Sequence, residues 1–462
     1  MVVTEPFTHW SEWWVAGDPD QRAAGEIAFD ETTGATLTLY GLLPGMAHVQ
    51  FRSPPLHGET FEGERLTLPS AALLQRSMQV GAGNARVRTR LHGGVLLRGC
   101  HADLDSLMVT RAVIRLTGLR DVCLQGWAFE AHAFMGTARR VQLSGGSLTF
   151  REATARQRDR YVESSEVDVD VLIEADAPLL LSDFEDRWVS PLEALILFAA
   201  RAPVARLGFT LLLDDPDAAS SVHSAIRHGT SPDLWNETPA EVLTEASTLS
   251  SEPPSTYNRL LVSFNALGDG VDEFIGRWWE LYASLGNAAV FLMSVLGSQL
   301  YLENRLLNLM SFIESYHRRL HDKPKIPPSV HEANVEAMLG VIEDKAQRDH
   351  YKQKLKFAGE QNARQRVKEL VRRAHQTLPG VARLDAKLAD QLVDARNALT
   401  HLDPSEKSVL DGVDLIYAVA RLQLVVQTNL LLDLKLGKAK VAELVLTSYD
   451  NQMPVRDFSE ET

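Results

Sequence analysis

Residues 250–258, SSEPPSTYN, separate two parts of the chain that differ in their hydrophobic periodicity. Prolines and serines at this density indicate a loop or a crossover. Short β-rich runs precede the stretch, whereas long segments with helical spacing follow it. The sequence therefore predicts an α+β multidomain protein, with a β-rich N-terminal domain over residues 1–255 and an all-helical domain over residues 256–462.

The first part contains runs rich in β-branched and apolar residues that are interrupted by Gly, Ser and Asp. Residues 25–41, GEIAFDETTGATLTLYG, hold two such runs around a turn-like DETTG and predict a β-hairpin. Residues 165–176, SEVDVDVLIEAD, alternate acidic residues with valines, which predicts a strand with an acidic solvent face. The Asp-x-Asp pair also suggests a metal site, but no histidine or further carboxylate cluster accompanies it. The other predicted strands are SLMVTRAVIRLTG (106–118), DVCLQGWAFEAH (121–132), RRVQLSGGSLTF (139–150) and RLGFTLLL (206–213), and SPLEALILFAARAP (190–203) predicts a helix.

The second part opens with a strand-like run, RLLVSFNALG (259–268), and then becomes almost wholly helical. Leucines and isoleucines recur there at the spacing of one helix face. The last predicted helix, from Pro404 to about Leu436, is apolar nearly all round and needs burial on more than one side. The other predicted helices are DEFIGRWWELYASLG (272–286), SQLYLENRLLNLMSFIESYHRRLH (298–321), PSVHEANVEAMLGVIED (328–344) and QNARQRVKELVRRAHQTL (361–378).

Charge is unevenly spread along the chain. The net charge of −14 disfavours a protein that coats nucleic acid, because binding to the phosphate backbone needs a basic surface. Residues 343–375, however, carry ten Lys or Arg against five acidic residues. Any contact with a polyanion is therefore expected in the C-terminal part, and the alternative for this run is an ordinary solvated helix face.

The chain shows no sign of export or membrane insertion. Its start, MVVTEPFTHWSEWW, lacks a basic segment followed by an apolar run, and no stretch approaches the roughly 18 unbroken apolar residues of a membrane span. The two cysteines, Cys100 and Cys123, form no CxxC pair, which argues against a disulfide scaffold or a structural zinc site. These features predict a cytoplasmic protein without a bound cofactor.

Residues 394–404, DARNALTHLDP, place polar groups at the end of an otherwise apolar helix. On an ideal helix Asn397 and His401 are i,i+4 neighbours opposite the apolar stripe, and Arg396 lies at its border. The next helix has an N-cap and a capping box, because Asp403 precedes Pro404 and Glu406 occupies the third helical position. The polar groups are thus expected at a sharp corner between two helices.

These three residue types suit cleavage of an RNA phosphodiester. A histidine can take a proton from the 2′-hydroxyl or give one to the leaving 5′-oxygen, and an arginine can hold the phosphate by two hydrogen bonds. An asparagine can orient the phosphate or the imidazole. Because one copy of the motif has a single histidine, a symmetric dimer is expected to supply the second proton-transfer group. The alternative is a polar helix face without chemistry.

DARNALTH resembles the R-x(4–6)-H signature of HEPN domains, including the polar residue that often follows the arginine. The upstream segments WWELYASLG and ENRLLNLMSFIESYHRRL resemble the first helices of ApeA-like HEPN proteins, and the β-rich first part resembles their N-terminal domain. The resemblance implies a metal-independent endoribonuclease, usually dimeric, that cuts cellular RNA in bacterial defence against phage. Transfer RNA is one possible substrate, and the N-terminal domain is where a phage-derived trigger is expected to act.

The resemblance also implies site residues. Arg396 and His401 match the two fixed residues of the motif, Asn397 matches its variable polar residue, and Glu314 matches an acidic residue of an earlier helix. For Glu314 the alternative is an i,i+4 salt bridge with Arg318. Two other functions stay open: a catalytically silent HEPN module for dimerisation and partner binding, and an enzymatic β-rich part. Retention of Arg, Asn and His together favours the ribonuclease, and no nucleophile–base pair stands out in the β-rich part.

Overall fold

The computed structural model describes residues 6–448, apart from residues 47–50, 82–83, 125–137, 159–162, 214–237, 245–259, 299, 357, 402–409 and 411. The chain forms two compact units. The first comprises Met1–Ser255 and Ser263–Asp272, and the second comprises Thr256–Val262 and Glu273–Thr462. The SSEPPSTYN stretch and the predicted boundary after residue 255 lie outside the described residues.

The first unit is built on one large antiparallel sheet. Its described strands are β1 (Phe7–Val15), β2 (Ala23–Asp30), β3 (Gly34–Tyr40), β4 (Leu56–Thr60), β5 (Arg65–Leu68), β6 (Ala72–Gly81), β7 (Asn84–Gly93), β8 (Val95–Arg98), β9 (Met108–Leu116), β10 (Arg139–Leu143), β11 (Gly146–Arg158), β12 (Glu163–Leu180), β13 (Arg206–Leu213) and β14 (Thr238–Thr244). Their order in the sheet is β10-β11-β12-β9-β13-β14-β8-β5-β4-β1-β2-β3-β7-β6. Strands β10 and β6 are therefore the edges of the described sheet.

The predicted hairpin over residues 25–41 is confirmed as β2 and β3, with Asp30 paired to Gly34 at the turn. Its inward residues join the core of the first unit, which is centred on the fully buried Trp13. Glycine at position 58 makes room for that indole, because a Cβ there would lie 2.8 Å from the Trp13 ring. Trp13 and Gly58 are also paired across β1 and β4, so the largest core side chain of this region rests on a residue without one.

The alternating run 165–176 lies in β12, with Val169 and Val171 buried. On the other face, Asp170 accepts a hydrogen bond from Nε of Arg115 at 2.7 Å, and Asp168 lies 3.5 Å from the same nitrogen. Arg115 belongs to β9, the neighbour of β12 in the sheet. The Asp-x-Asp pair thus forms ion pairs across two strands on the polar face.

Short helices pack against the sheet: α1 (Leu119–Leu124), α2 (Leu181–Phe184) and α3 (Ser190–Ala200), the last two joined by a π-helical turn at Glu185–Val189. The prediction of a strand from residue 121 is wrong for residues 121–124. Leu119, Val122 and Cys123 are fully buried, and their spacing fits one face of a helix. The remainder of that predicted strand lies outside the described residues.

The strand predicted over residues 259–268 is also wrong, because α4 (Phe264–Leu267) is helical. The hydroxyl of Ser263 accepts a hydrogen bond from the backbone N–H of Ala266 at 3.2 Å. This N-cap satisfies the backbone N–H of Ala266, which in a β-strand would donate to a neighbouring strand. The helix therefore starts here although the preceding sequence is apolar and strand-like.

The second unit is helical. Its described helices are α5 (Val271–Leu285), α6 (Ala288–Gly297), α7 (Leu302–Leu320), α8 (Pro328–Gly340), α9 (Lys345–Leu355), α10 (Ala363–His375), α11 (Ala386–His401), α12 (Gly412–Asp433) and α13 (Lys438–Thr447). Helices α7, α10 and α12 pack against one another, and α11 packs against α7 and α10. Asn429 joins two of them, since its amide donates to the carbonyl of Leu370 at 3.0 Å.

Helix α12 occupies the centre of this bundle. It is the one individual helix in the described part of the chain that is long and apolar enough to cross a membrane, and 72% of its apolar window is buried in the protein. Its neighbours are α7, α10 and α13. The expectation of burial on several sides is met for most of its length, but Val413 at its start is 64% exposed and Ile416 is 39% exposed.

Candidate functional site

Helix α11 carries the predicted motif. The carboxylate of Asp385 caps its N-terminus by accepting hydrogen bonds from the backbone N–H groups of Lys387 and Leu388 at 2.9 and 3.1 Å. The predicted apolar stripe is buried at Leu388, Leu392 and Ala395, and half-buried at Leu399. This stripe fixes the rotation of the helix, so the residues between its members are directed away from the core.

Arg396 lies half-buried beside that stripe and contacts two of the other predicted site residues. Its Nη1 donates to Oδ1 of Asn397 at 3.1 Å, and its Nη2 lies 3.3 Å from Oε1 of Glu314 on α7. The Glu314 oxygen is buried and has no aligned hydrogen bond among the described residues, so the contact with Arg396 is an ion pair. The structure thus brings Glu314, Arg396 and Asn397 together from two helices.

The alternative for Glu314, a salt bridge with Arg318, is not what the structure shows. Arg318 instead lies 3.3 Å from Oε2 of Glu360, in the segment before α10. Glu314 therefore contacts the motif helix, while Arg318 pairs with the segment before α10.

His401 is the last residue of α11, five positions after Arg396. Its side chain and residues 402–409 lie outside the described part of the protein, and so does the predicted corner with Asp403, Pro404 and Glu406. The placement of the imidazole relative to Arg396 stays a prediction. What the structure gives is the backbone of α11 up to His401 and the hydrogen bond from Thr400 Oγ1 to the Arg396 carbonyl at 2.7 Å.

The guanidinium keeps donors for a ligand. Arginine has five N–H donors, of which one is used on Asn397 and one points to Glu314. Asn397 presents its oxygen to Arg396, so its amide N–H groups are left for another acceptor. A phosphate, whose oxygens accept paired hydrogen bonds from arginine, is the ligand that this arrangement suits.

The chain matches two protein-family models. The one described as Apea-like HEPN matches residues 307–440, a range that contains Glu314, Arg396, Asn397 and His401. The one described as ApeA N-terminal domain 1 matches residues 10–122. The chain is an ApeA-like HEPN protein. No curated protein and no solved structure matches it significantly.

These matches and the observed architecture confirm the predicted fold class, a β-rich N-terminal part followed by an all-α HEPN bundle. HEPN domains are generally associated with ribonuclease activity and commonly dimerise, and the ApeA-like family is associated with defence against phage.

The basic run of residues 343–375 divides into two parts in the HEPN domain. Four of its cations that form ion pairs with carboxylates of the same domain are Arg364, Arg366, Lys368 and Arg373. Arg364 and Lys368 both contact Asp390 of the motif helix, at 2.7 and 2.8 Å. The lysines of α9, by contrast, are exposed at positions 345, 352 and 354. Helix α10 is thus bound to α11 by charge, and α9 presents a solvated basic face.

A polar cluster that the sequence did not predict joins three helices of the HEPN domain. Asp433, at the end of α12, accepts hydrogen bonds from His321 at 2.9 Å, from Arg373 at 2.6 Å and from the hydroxyl of Tyr316. Burial opposes ionisation of this carboxyl, but the three donors outweigh it and lower the pKa of Asp433 to about 2. We call these four residues the Asp433 cluster.

His317, one residue after Tyr316, is fully buried beside the cluster. Its Nε2 lies 3.1 Å from Oε2 of Glu369, and its Nδ1 is buried without a hydrogen-bond partner among the described residues. Burial lowers the pKa of His317 more than the neighbouring carboxylate raises it. The ring is therefore neutral at pH 7, with Nε2–H donating to Glu369, because a charged ring would leave a buried Nδ1–H unsatisfied.

Proposed function

We propose that this ApeA-like HEPN protein is a metal-independent endoribonuclease that cuts cellular RNA during defence against phage. The observation that carries the proposal is the arrangement of Arg396, whose guanidinium is held by Glu314 and Asn397 and still has free donors. An arginine fixed in this way stabilises the extra negative charge of a phosphorane-like transition state without reorganising during the reaction.

The proposed reaction is a transesterification. His401 takes the proton of the 2′-hydroxyl, and the 2′-oxygen attacks the adjacent phosphorus. The bond from phosphorus to the 5′-oxygen breaks, and a second proton-transfer group gives a proton to that leaving oxygen. The products are a 2′,3′-cyclic phosphate and a 5′-hydroxyl. In a two-fold dimer the second group is His401 of the partner subunit.

The biological setting follows from the family. A nuclease of cellular RNA, with transfer RNA as one possible substrate, must be inactive in a healthy cytoplasm. We assign the restraint to the β-rich N-terminal part and propose that a phage-derived trigger acts there. The exposed lysines of α9 are a surface for the RNA backbone near the HEPN bundle.

Incubation of purified protein with total cellular RNA tests the proposal. We expect RNA cleavage by the full-length protein when a lysate of phage-infected cells supplies the trigger, a loss on the order of 10²–10⁴-fold in His401→Ala, and a clear loss in Arg396→Ala. Both variants should keep the melting temperature of the parent, since neither position belongs to the apolar stripe of Leu388, Leu392, Ala395 and Leu399.

Arg372 and His375, exposed in the last turn of α10, provide matched controls. Arg372→Ala and His375→Ala remove the same side chains away from the motif and should cut RNA like the parent. Cleavage that is equally fast in His401→Ala and His375→Ala would overturn the proposed site. Absence of cleavage in the parent both with and without the lysate of phage-infected cells, with an intact dimer, would instead favour the silent HEPN module.

A further inference from the structure

One stretch of the N-terminal part is basic despite the acidity of the chain. Residues 65–102 contain six arginines and no Asp or Glu. Three of the arginines, at positions 86, 88 and 90, alternate along β7, and Arg88 and Arg90 share one face of the strand. Arg88 and Arg90 are exposed, whereas Thr89 and Leu91 between and after them are buried. From the overall distribution of charge we expected contact with a polyanion only in the C-terminal part. This stretch gives the N-terminal part a basic segment as well.

The arginines lie on the same face of the sheet as two exposed aromatic rings. Arg88 is paired with Tyr40 across β7 and β3, and Tyr40 is paired with Ala24 on β2. The small Ala24 side chain lets Tyr40 lie near Trp10 of β1, and the two rings stack with centroids 5.3 Å apart at 23°. Trp10 is 49% exposed and Tyr40 is 42% exposed. We call Trp10, Tyr40, Arg88 and Arg90 the sheet platform.

The charges of the platform are not neutralised within the described structure. Neither Arg88 nor Arg90 forms an ion pair with a carboxylate in the part of the chain that the structure describes, although the Arg88 guanidinium lies 5.7 Å over the Tyr40 ring. Gln75 and Ser77 continue the same rows on the edge strand β6 and add polar groups beside the arginines. Exposed rings with unneutralised cations beside them are complementary to nucleobases and phosphates.

We propose that the sheet platform binds single-stranded nucleic acid, with bases stacked on Trp10 and Tyr40 and phosphates at Arg88 and Arg90. Trp10 and Arg90 lie on strands three positions apart, a span of roughly 14 Å. This distance exceeds the reach of one base and its own phosphate, which favours a strand over a free nucleotide. Glu26 lies on β2 between Trp10 and the arginines, two strands from β7, and its carboxylate can accept from the amino group of a base.

Binding of a single-stranded DNA of about 12 nucleotides to the full-length protein tests the platform. DNA lacks the 2′-hydroxyl, so HEPN transesterification does not consume the probe, and the result does not depend on the proposed ribonuclease. We expect Trp10→Ala and Tyr40→Ala each to weaken binding roughly 5- to 150-fold, as loss of one stacked base does. Tyr40→Phe keeps the ring and should retain binding. Arg88→Gln with Arg90→Gln should weaken binding and reduce its salt dependence.

Phe61 is an exposed ring outside the platform, and Arg140 is exposed on β10, the opposite edge of the sheet; Phe61→Ala and Arg140→Gln are the matched controls. Binding that is equally weakened by these controls, or unchanged in the platform variants, would overturn the proposal. Tight binding of a mononucleotide such as ATP, equal to that of the oligonucleotide, would overturn it in favour of a small-molecule site. Unaltered melting temperatures of the variants establish that lost binding reflects lost contacts.

Discussion

Arg396 and Glu314 are far apart in the sequence and meet only because α7 and α11 pack side by side. The ion pair is half-buried, so it is less screened than a surface pair and orients the guanidinium toward a fixed point. Glu314 acts through Arg396 and is, on this account, a positioning residue. Removal of the Glu314 carboxylate should leave Arg396 in place with its guanidinium poorly oriented.

Glu314→Ala should therefore lower kcat for RNA cleavage on the order of 10- to 100-fold, with a smaller change in KM, because a displaced group loses transition-state contacts first. Glu303, exposed in the first turn of the same helix, is the matched control, and Glu303→Ala should cleave like the parent. Steady-state kinetics on a defined RNA measure both constants. Equal kcat values for Glu314→Ala and Glu303→Ala would rule out the positioning role.

For single residues, the sequence indicated which side chains belong to the candidate site, but it did not determine which side chain Glu314 pairs with. Helical spacing placed Glu314 equally well beside Arg318 of its own helix, and only the packing of α7 on α11 decides for Arg396. The positions of Arg396 and Asn397 relative to the core could be predicted, because both lie on one helix whose apolar stripe fixes its rotation. Cross-helix partners depend on tertiary packing, which periodicity does not determine.

Between elements, the Asp433 cluster joins the ends of α7, α10 and α12. Its carboxylate is mostly buried and satisfies three donors, so removal of the carboxylate leaves Arg373 and His321 without their acceptor. Losses of about 3–5 kcal/mol are usual when one partner of a buried ion pair is deleted. The cluster is thus a structural joint of the HEPN bundle.

Asp433→Ala should lower the free energy of unfolding at pH 7 by a few kcal/mol, whereas Asp414→Ala, at an exposed position of the same helix, should change it by less than about 0.5 kcal/mol. The pKa of Asp433 is about 2 in the folded protein, against 3.8 for an ordinary aspartate. The stabilisation is complete above the unfolded value and is lost as the pH falls through the folded value. Denaturant unfolding should show a difference between parent and Asp433→Ala that is constant above about pH 5 and shrinks below about pH 4. A difference that grows on acidification would contradict the assignment.

Elements with strong periodicity were predictable, and elements set by local contacts were not. The alternation of residues 165–176 and the hairpin of residues 25–41 carry their own pattern, and both appear as predicted. Residues 264–267 read as a strand, but the Ser263 cap makes them helical. The apolar helix α6 and the Asp433 cluster have no sequence signal of their own, because short apolar runs fit several structures and histidines are common at helix ends.

At the scale of the whole molecule, the proposed dimer would bring together the helix ends that carry the motif. Arg396 and His401 lie about 140° apart on an ideal helix, so one flat substrate cannot use both well from a single subunit. Most of α12 is buried, and its exposed apolar residues are Val413 and Ile416, which follow the motif closely in sequence. A two-fold partner that covers these two side chains would bring two motifs together.

Mixing inactive subunits tests the shared site. Arg396→Ala and His401→Ala proteins, each inactive alone, should regain part of the parental cleavage when co-expressed, because a mixed dimer holds one intact combination of groups. Val413→Asp should produce a monomer in light scattering and abolish cleavage, whereas Asp414→Ala next to it should remain dimeric and active. A monomer that cuts RNA at the parental rate would refute a site shared between subunits.

The chemical nature of the RNA ends shows whether an arginine and a histidine cleave RNA without a metal. Purified full-length protein, activated with a lysate of phage-infected cells, is incubated with RNA in excess EDTA, with His401→Ala in parallel, and the 5′ and 3′ ends of the fragments are identified by mass spectrometry. We expect cleavage as fast as without EDTA, 5′-hydroxyl ends, and 2′,3′-cyclic phosphate or 3′-phosphate ends that are absent with His401→Ala. Cleavage that stops in EDTA and returns with magnesium or manganese, or fragments with 5′-phosphate and 3′-hydroxyl ends, would contradict it.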